Sequence, residues 1–267
     1  MRPQVVLCDL VGTVYSTEGM IPGAAEAIAA MQSDGHRIRF LTNTDSKSNA
    51  TLVAEITRRG IQLAPDEVFS PVSAAIALIG SETDARVLAL TTDDVRAELA
   101  TGLELAAGPP GSITHVVVGD VRETLNYDLL NLAYGALVDG AELVALQREP
   151  YFLAGGRRNI DTGAVVVALE FASGKPATVV GKPNPMFISL ALQSLGPGVD
   201  GDAVWVVGDD RFSDVAAGHA AGVHTVLVRT GKYADQIHIS GGPMPEYVID
   251  SLADLPGLLA AMVGRLP

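Results

Sequence analysis

Short apolar segments alternate along this chain with segments of helical pattern, and this alternation constrains the fold more than any other feature. Strand-like runs at residues 5–8, 37–41 and 86–90, for example, are each followed by a helix-like stretch. Strands that alternate with helices predict right-handed crossovers and an open parallel sheet of the α/β class. The composition agrees, because 48% of the residues are hydrophobic and 5% are aromatic, as in an α/β protein with a filled core.

The same patterns divide most of the chain into elements. Further strands are predicted at residues 115–118, 142–145, 178–180, 203–207, 224–228 and 248–249. Helices are predicted at residues 24–32, 47–59, 72–79, 93–99, 126–137, 164–172, 187–195, 214–221 and 253–262. Residues 151–162 are rich in Gly and Arg and predict a loop, in which Arg157, Arg158 and Asp161 either contact a substrate or are solvated.

The strand ends that carry polar residues fall in two separate parts of the chain. A self-contained α/β stretch at residues 80–178 lies between them. We therefore predict a core domain formed by residues 1–79 and 179–267, with residues 80–178 inserted as a second, smaller α/β domain.

Charge and hydropathy restrict the partners of the chain. A formal net charge of −13 argues against nucleic acid and against an anionic membrane surface. The N-terminus leads directly into a strand, and no uninterrupted apolar stretch is long enough to span a bilayer. The single cysteine excludes an intramolecular disulfide and fits a reducing compartment. The expected location is therefore the cytoplasm.

Four polar residues stand directly after predicted strands. Asp9, Thr42 and Asp209 each follow an apolar run, and Lys182 follows the shorter run at residues 178–180. In an open parallel sheet, ligands bind at the carboxyl ends of the strands. These residues, although far apart in sequence, are therefore expected to meet at one edge of the sheet.

Acidic residues follow the strand at residues 203–207. Asp209, Asp210 and Asp214 lie within six positions of one another. Carboxylates at a strand end suit Mg²⁺, which prefers one or two carboxylates together with water and substrate phosphate. The alternative is that these acids cap the following helix, where its dipole favours negative charge.

Two other strand ends offer groups that could bind phosphate. Thr42 and Asn43 supply a hydroxyl, an amide and backbone N–H groups, although a polar turn would also explain them. Lys182 lies between Gly181 and Pro183, a stiff loop that could direct its ammonium inward, unless it is an ordinary surface lysine.

These motifs together resemble the haloacid dehalogenase (HAD) superfamily of aspartyl-phosphate enzymes. In order along the chain they are residues 9–13 (DLVGT), 41–43 (LTN), 181–183 (GKP), and 208–210 (GDD) with Asp214. The resemblance implies a Rossmann-like parallel-sheet core with an inserted α/β cap domain. It covers nearly the whole chain.

Three further segments are similar to the NagD-like and 4-nitrophenylphosphatase-like subgroup with a large cap. They are residues 164–170, 179–185 and 228–233. The chain most resembles the branch that holds phospholysine phosphohistidine inorganic pyrophosphate phosphatase and its relatives. The implied activity is that of a Mg²⁺-dependent phosphatase.

The resemblance implies a role for each carboxylate. Asp9 would be the nucleophile that forms the aspartyl phosphate. Mg²⁺ would be held by Asp9, the backbone carbonyl of Val11 and the side chain of Asp209. Asp210 and Asp214 would not bind the metal directly but would order metal-bound water or Lys182.

The resemblance also implies how substrate is bound. Thr42, with the backbone N–H groups of Asn43 and Thr44, would hold the phosphoryl oxygens, and Lys182 would neutralise charge on them and on the nucleophile. The expected substrate is a small phosphorylated molecule. A homodimer is a further possibility implied by the subgroup.

Val11 departs from the family pattern, which usually has Asp at this position to protonate the leaving group and activate water. General acid–base catalysis is worth about 10²–10⁴-fold in rate. We therefore expect slow hydrolysis that favours activated phosphates: aryl phosphates, acyl phosphates, pyrophosphate and P–N bonds. The alternative is an impaired relative that binds a phosphorylated ligand or partner without efficient turnover.

Two other reactions of the superfamily fit less well. A dehalogenase tolerates the missing second Asp but leaves the acids around Asp209 without a metal to bind. A phosphonatase needs an imine-forming lysine in its cap, and residues 80–178 contain only Lys175.

Overall fold

The strands and helices alternate as predicted in the computed structural model, which describes residues 3–106, 108–154, 157–199 and 201–263. The strands are β1 (Val5–Asp9), β2 (Tyr15–Ser16), β3 (Gly19–Met20), β4 (Arg37–Leu41), β5 (Val68–Phe69), β6 (Arg86–Leu90), β7 (Glu104–Leu105), β8 (His115–Val118), β9 (Glu142–Ala145), β10 (Tyr151–Ala154), β11 (Arg157–Ile160), β12 (Thr178–Val179), β13 (Val204–Gly208), β14 (His224–Val228) and β15 (Tyr247–Ile249). The helices are α1 (Ala24–Ser33), α2 (Asn49–Thr57), α3 (Pro71–Ile79), α4 (Asp93–Leu99), α5 (Tyr127–Val138), α6 (Thr162–Ser173), α7 (Pro185–Gln193), α8 (Ala216–Ala221), α9 (Tyr233–Gln236) and α10 (Leu255–Val263).

The first of two structural units comprises the described residues within 1–42, 53–69 and 182–267. Its six-stranded sheet has the order β15-β14-β13-β1-β4-β5, and every pair of neighbouring strands is parallel. The apolar strand β1 lies at the centre, buried along its whole length between β13 and β4. A strand that is buried on both faces reads as a continuous apolar run, which is the pattern of residues 5–8.

The second unit comprises the described residues within 43–52 and 70–181. It contains a five-stranded parallel sheet of order β12-β9-β8-β6-β7. Its core includes Leu90, Val118, Leu137, Leu143 and Val166, from three strands of the sheet and from α5 and α6. The prediction of an α/β protein with parallel sheets is confirmed. The boundaries of the inserted domain at residues 80 and 178 stay a prediction.

The loop predicted over residues 151–162 is wrong, because most of this stretch forms an antiparallel hairpin. Strand β10 pairs with β11, with Tyr151 opposite Ile160. The guanidinium of Arg158 lies 4.6 Å from the centre of the Tyr151 ring. Tyr151 and Ile160, which lie opposite each other, are both exposed, so this pair gives no buried apolar signal.

The helix predicted at residues 214–221 has a different start. A π-helical turn, Arg211–Val215, precedes α8 and places Asp214 within the turn. Among the described residues, no helix has both the length and the apolar character needed to cross a membrane.

Candidate active site

Asp9 lies at the carboxyl end of the central strand of the first sheet. It is the last residue of β1 and pairs with Leu41 of β4. Its side chain is almost fully buried. Thr42, which directly follows Leu41, is also buried, so it lies at this same edge of the sheet. Asn43 and Thr44 belong to the second unit, and their predicted role in phosphate binding stays a prediction.

Lys182 joins two carboxylates of the first unit. Its Nζ lies 2.5 Å from Oδ1 of Asp9 and 2.6 Å from Oδ1 of Asp214. Burial lowers the pKa of this lysine, but the carboxylates of Asp214 and Asp9 outweigh burial and raise its pKa above the usual range. Lys182 is therefore a buried ammonium that is held between two acids, and it is not a surface lysine.

The acids after β13 occupy three different environments. All three acids are buried, and Asp210 also caps the π-helical turn by accepting hydrogen bonds from the backbone N–H groups of Phe212 (2.9 Å) and Ser213 (3.2 Å). The capping alternative is thus correct for Asp210. Asp214 contacts Lys182, and its other oxygen accepts a hydrogen bond from the backbone N–H of Asp210 at 3.2 Å.

Three glycines allow these acids to approach the backbone closely. A Cβ atom at Gly208 would overlap the carboxylate of Asp214. A Cβ at Gly12 (φ +91°) or at Gly231 (φ +57°) would overlap Oδ2 of Asp209. Gly12 and Gly231 also adopt the left-handed backbone region, which favours glycine. The carboxylate of Asp209 is therefore enclosed by backbone on both of these sides.

One carboxylate oxygen from each of Asp9, Asp209 and Asp214 lies within 4.8 Å of the other two. Burial raises the pKa of Asp9, an effect that Lys182 opposes. Burial, followed by the charge of Asp214, raises the pKa of Asp209 to about 6. The three buried carboxylates outnumber the one buried ammonium, Lys182, and a divalent cation would neutralise the remaining negative charge. Hard oxygen donors in this arrangement fit Mg²⁺.

Residues 230–236 contribute contacts that the sequence patterns did not assign. The backbone N–H of Lys232 donates to Oδ2 of Asp209 at 2.7 Å, and its Nζ donates to Oδ2 of Asp210 at 2.7 Å. The hydroxyl of Thr230 donates to the carbonyl oxygen of Gly12 at 2.5 Å. The sequence offered one signal for these contacts, the similarity of residues 228–233 to the subgroup. Residue types alone gave this segment no role at the site.

The half-exposed side chain of Val11 has no titratable group, so it supplies neither an acid nor a base. The adjacent backbone forms a turn, in which the N–H of Gly12 donates to the carbonyl of Tyr15 at 2.7 Å.

Comparison with known proteins places this fold and site in a family. Residues 6–102 match the model of the haloacid dehalogenase-like hydrolase family, and residues 179–255 match a HAD-hydrolase-like model. A haloacid dehalogenase-like hydrolase domain-containing protein 2 of Bos taurus is 33% identical, over 90% of this chain and 90% of the relative. The human phospholysine phosphohistidine inorganic pyrophosphate phosphatase is 31% identical, over 95% of this chain and 93% of the relative.

Solved structures with the same fold also include phosphatases. A p-nitrophenyl phosphatase from Archaeoglobus fulgidus superposes with a TM-score of 0.87 at 30% identity, covering 96% of this chain and 99% of that chain. A glycerol phosphate phosphatase from Mycobacterium tuberculosis in complex with calcium has a TM-score of 0.82 at 26% identity, covering 94% of this chain and 74% of that chain.

The fold and the site thus define a hydrolase of the α/β class with an acidic, metal-compatible cluster at the edge of a parallel sheet. The chain belongs to the haloacid dehalogenase-like hydrolase family. The predicted resemblance to the NagD-like subgroup and the prediction of an enzyme of this family are confirmed.

Proposed function

We propose that this protein is a Mg²⁺-dependent phosphatase that acts on small phosphorylated molecules through an aspartyl-phosphate intermediate. The observation that carries the proposal is the contact of Asp9 with Lys182 inside a buried cluster of three carboxylates. The names of two similar proteins, a pyrophosphate phosphatase and a p-nitrophenyl phosphatase, support the same reaction class.

In the proposed reaction, a carboxylate oxygen of Asp9 attacks phosphorus, and the bond from phosphorus to the leaving group breaks. Water then attacks the phosphorus of the aspartyl phosphate, releasing phosphate and regenerating Asp9. The Lys182 ammonium favours the ionised form of Asp9 and neutralises charge that develops on the phosphoryl group. Mg²⁺, when bound by Asp9, Asp209 and the carbonyl of Val11, would supply further neutralisation of this charge.

Other residues of the proposed site bind or orient. Thr42 and the N–H groups of Asn43 and Thr44 are proposed to hold the phosphoryl oxygens. Asp214 helps to hold Lys182, because its carboxylate and that of Asp9 contact the same Nζ. Asp210 is proposed to support the cluster through the turn that it caps.

The proposed substrate class follows from Val11. Without a carboxyl group at this position, a leaving group that needs a proton departs slowly, whereas an aryl, acyl or phosphate leaving group needs less help. We therefore propose a preference for activated phosphates. The P–N and pyrophosphate substrates named for the human relative belong to this class.

Leaving-group chemistry tests the role of Val11. We expect 4-nitrophenyl phosphate to be hydrolysed with a higher kcat/KM than a sugar phosphate. Val11→Asp should raise kcat/KM for the sugar phosphate by about 10²-fold and change the aryl phosphate less, because only the alkyl ester needs the proton. Val11→Asn, which has a similar size and no proton to transfer, is the matched control. Equal rates of the two substrates in the wild-type protein would contradict this account.

A direct test of the proposed function is phosphate release in the presence of Mg²⁺ from a panel of acyl phosphates, pyrophosphate, phosphoramidates and 4-nitrophenyl phosphate. Mg²⁺-dependent release, together with an aluminofluoride adduct in contact with Asp9, is the expected result. Absence of both would reject the proposal.

The second candidate function, binding of a phosphorylated ligand without turnover, is favoured by the apolar side chain at Val11. It predicts Mg²⁺ binding and a beryllofluoride adduct on Asp9 without release of phosphate from any member of the panel.

A further inference from the structure

Residues 230–236, which follow strand β14, touch both acids at the end of the neighbouring strand β13. We call residues 230–236 the anchoring segment. Strands β13 and β14 are parallel neighbours, with Gly208 opposite Leu227, so their carboxyl ends lie at the same edge. The chain therefore leaves β14 beside Asp209 and Asp210, the residues that directly follow β13.

The backbone of the anchoring segment lies against Asp209. The N–H of Lys232 donates to Oδ2 of Asp209 at 2.7 Å, and Gly231 is so close that a side chain there would overlap the same oxygen. A Cβ at Gly231 would also lie 2.8 Å from the Cα of Gly12. The backbone at Gly12 and at Gly231 thus restricts the orientation of the Asp209 carboxylate.

The side chains of the anchoring segment hold Asp210. Nζ of Lys232 lies 2.7 Å from Oδ2 of Asp210, and Nε2 of Gln236 lies 2.8 Å from Oδ1. The carbonyl oxygen of Gln236's side chain in turn accepts a hydrogen bond from the backbone N–H of Arg211 at 2.8 Å. The Lys232 side chain is largely exposed, whereas the Asp210 carboxylate is mostly buried. The contact therefore restrains a buried acid from the surface.

The segment also reaches the loop that follows the proposed nucleophile. The Thr230 hydroxyl donates to the carbonyl oxygen of Gly12 at 2.5 Å. Gly12 directly follows Val11, whose carbonyl is a proposed metal ligand. A single segment thus contacts Asp209, Asp210 and the turn at Gly12.

We propose that Lys232 is a positioning residue, which holds Asp209 and Asp210 in the orientation required for Mg²⁺ and acts only through them. This inference rests on the proposed function, because it assigns the purpose of the contacts to the proposed metal site. Groups that orient metal ligands typically change metal affinity by about 10–100-fold when they are removed.

The test is calorimetric titration of the wild-type protein and its variants with Mg²⁺ alone, followed by turnover of 4-nitrophenyl phosphate over a range of Mg²⁺ concentrations. Lys232→Met removes Nζ but keeps the backbone N–H and most of the aliphatic stem. We expect its Mg²⁺ Kd to rise about tenfold, with kcat at saturating Mg²⁺ changed less than about threefold. Lys232→Arg should restore most of the affinity because it keeps a cation that can reach Asp210.

Arg229→Met is the matched control. Arg229 lies three residues earlier, pairs with exposed Asp250 at 2.6 Å and hydrogen-bonds Tyr233 of the anchoring segment, so its removal deletes contacts near this segment that involve neither Asp209 nor Asp210. We expect this control to bind Mg²⁺ like the wild-type protein.

Gly231→Ala provides an independent variant. Its Cβ overlaps Asp209, so we expect a larger loss of Mg²⁺ affinity in protein that is folded by circular dichroism.

Each outcome has one meaning. If the wild-type protein binds Mg²⁺ and turns over substrate while Lys232→Met binds Mg²⁺ equally well, the positioning role is overturned and the proposed function stands. If Lys232→Arg is as weak as Lys232→Met, positioning by the cation is likewise rejected. If the wild-type protein neither binds Mg²⁺ nor releases phosphate, the proposed function fails, and the inference that depends on it fails with it.

Discussion

The carboxyl ends of the two parallel sheets both carry buried acids, but the partners of these acids differ. At the first edge, Asp9 and Asp214 share the ammonium of Lys182, and Asp209 lies in the same cluster. At the second edge, Asp45 accepts a hydrogen bond from the Thr162 hydroxyl at 2.6 Å.

A second buried acid of this edge, Asp120, has its own cation. It accepts hydrogen bonds from Nε (2.8 Å) and from the backbone N–H (3.0 Å) of Arg122, two residues further along the chain. Asp120 is therefore paired with a near neighbour in the chain, whereas Asp45 is paired with a hydroxyl 117 residues away. Within the part of the chain that the structure describes, only Asp9, Asp209 and Asp214 form a group of three possible metal ligands.

The comparison shows that a parallel sheet brings polar residues to one edge without deciding their chemistry. Three carboxylates that converge on each other need an ammonium or a metal ion to stay ionised together, whereas a separate buried carboxylate can pair with one guanidinium, as Asp120 does, or take up a proton, as the raised pKa of Asp45 favours. The convergence of three carboxylates within 4.8 Å of one another distinguishes the first edge, and it is the basis for proposing catalysis there.

The largest expected difference between the two edges is in catalysis. Asp9→Asn should lower phosphate release by on the order of 10⁴-fold or more, because an amide cannot act as the nucleophile. Asp45→Asn, which removes a buried carboxylate from the second edge, should keep activity within about tenfold. Turnover of the two purified variants under saturating Mg²⁺ measures both effects. A loss of activity of the same size in Asp45→Asn would contradict the assignment of catalysis to the first edge alone.

Removal of Lys182 should have the next largest effect. Lys182→Met leaves the carboxylates of Asp9 and Asp214 buried without their ammonium. Removal of one partner of a buried ion pair lowers the free energy of unfolding by about 3–5 kcal/mol. The pKa of Asp9 should rise further, so the variant should be less stable at pH 8 than at pH 5 relative to wild type. Urea unfolding at the two pH values measures this dependence, with the exposed-site variant Glu26→Gln as control. A pH-independent difference would argue against the shared ammonium.

A smaller effect is expected from the pH dependence of Asp45. Burial raises the pKa of Asp45 from 3.8 to about 6, and the charges of Asp161 and Asp120 add to this, against hydrogen bonds from Thr162 and Gln147. Folding therefore favours the protonated form, and this stabilisation is complete below pH 3.8 and lost as pH rises through 6.

The pKa difference corresponds to about 3 kcal/mol. Relative to Asp45→Asn, the wild-type protein should lose about this much stability between pH 4 and pH 8. Comparison of the two unfolding free energies at each pH cancels the titrating groups that do not interact with Asp45. Parallel curves for the two proteins would show that Asp45 titrates normally.

The smallest effect is expected for the pair Arg122–Asp120. Burial raises the pKa of Asp120, but hydrogen bonds from Arg122 outweigh burial and lower it below its usual range. Because half of the Arg122 side chain is exposed, Arg122→Met should cost about 1 kcal/mol or less at pH 7. The stabilisation should disappear as pH falls through the lowered pKa of Asp120. Thermal unfolding of the wild-type protein and Arg122→Met at pH 7 and at pH 3 tests this prediction. An equal loss of stability at both pH values would assign the effect of the substitution to the packing of Arg122 over Phe152.

Strands of four or five residues with a buried face were predictable from the sequence, whereas an exposed hairpin and strands of two residues were not. The strands at residues 37–41, 86–90, 115–118, 142–145 and 224–228 have the predicted bounds, because burial requires apolar residues at them. The hairpin of β10 and β11 was missed, since its opposed residues Tyr151 and Ile160 are exposed and give no apolar signal. The two-residue strands β5 and β7 are too short to produce a periodic signal.

The candidate site divides in the same way. The sequence by itself determined that Asp9, Thr42, Lys182 and Asp209 follow strands, because an apolar run that ends in a polar residue is a local pattern. Only the tertiary structure decided that one ammonium joins Asp9 and Asp214, that Gly231 and Lys232 enclose Asp209, and that Asp45 is buried beside Thr162. Such contacts join residues distant in the chain, and their geometry depends on strand order and register, which no local pattern contains.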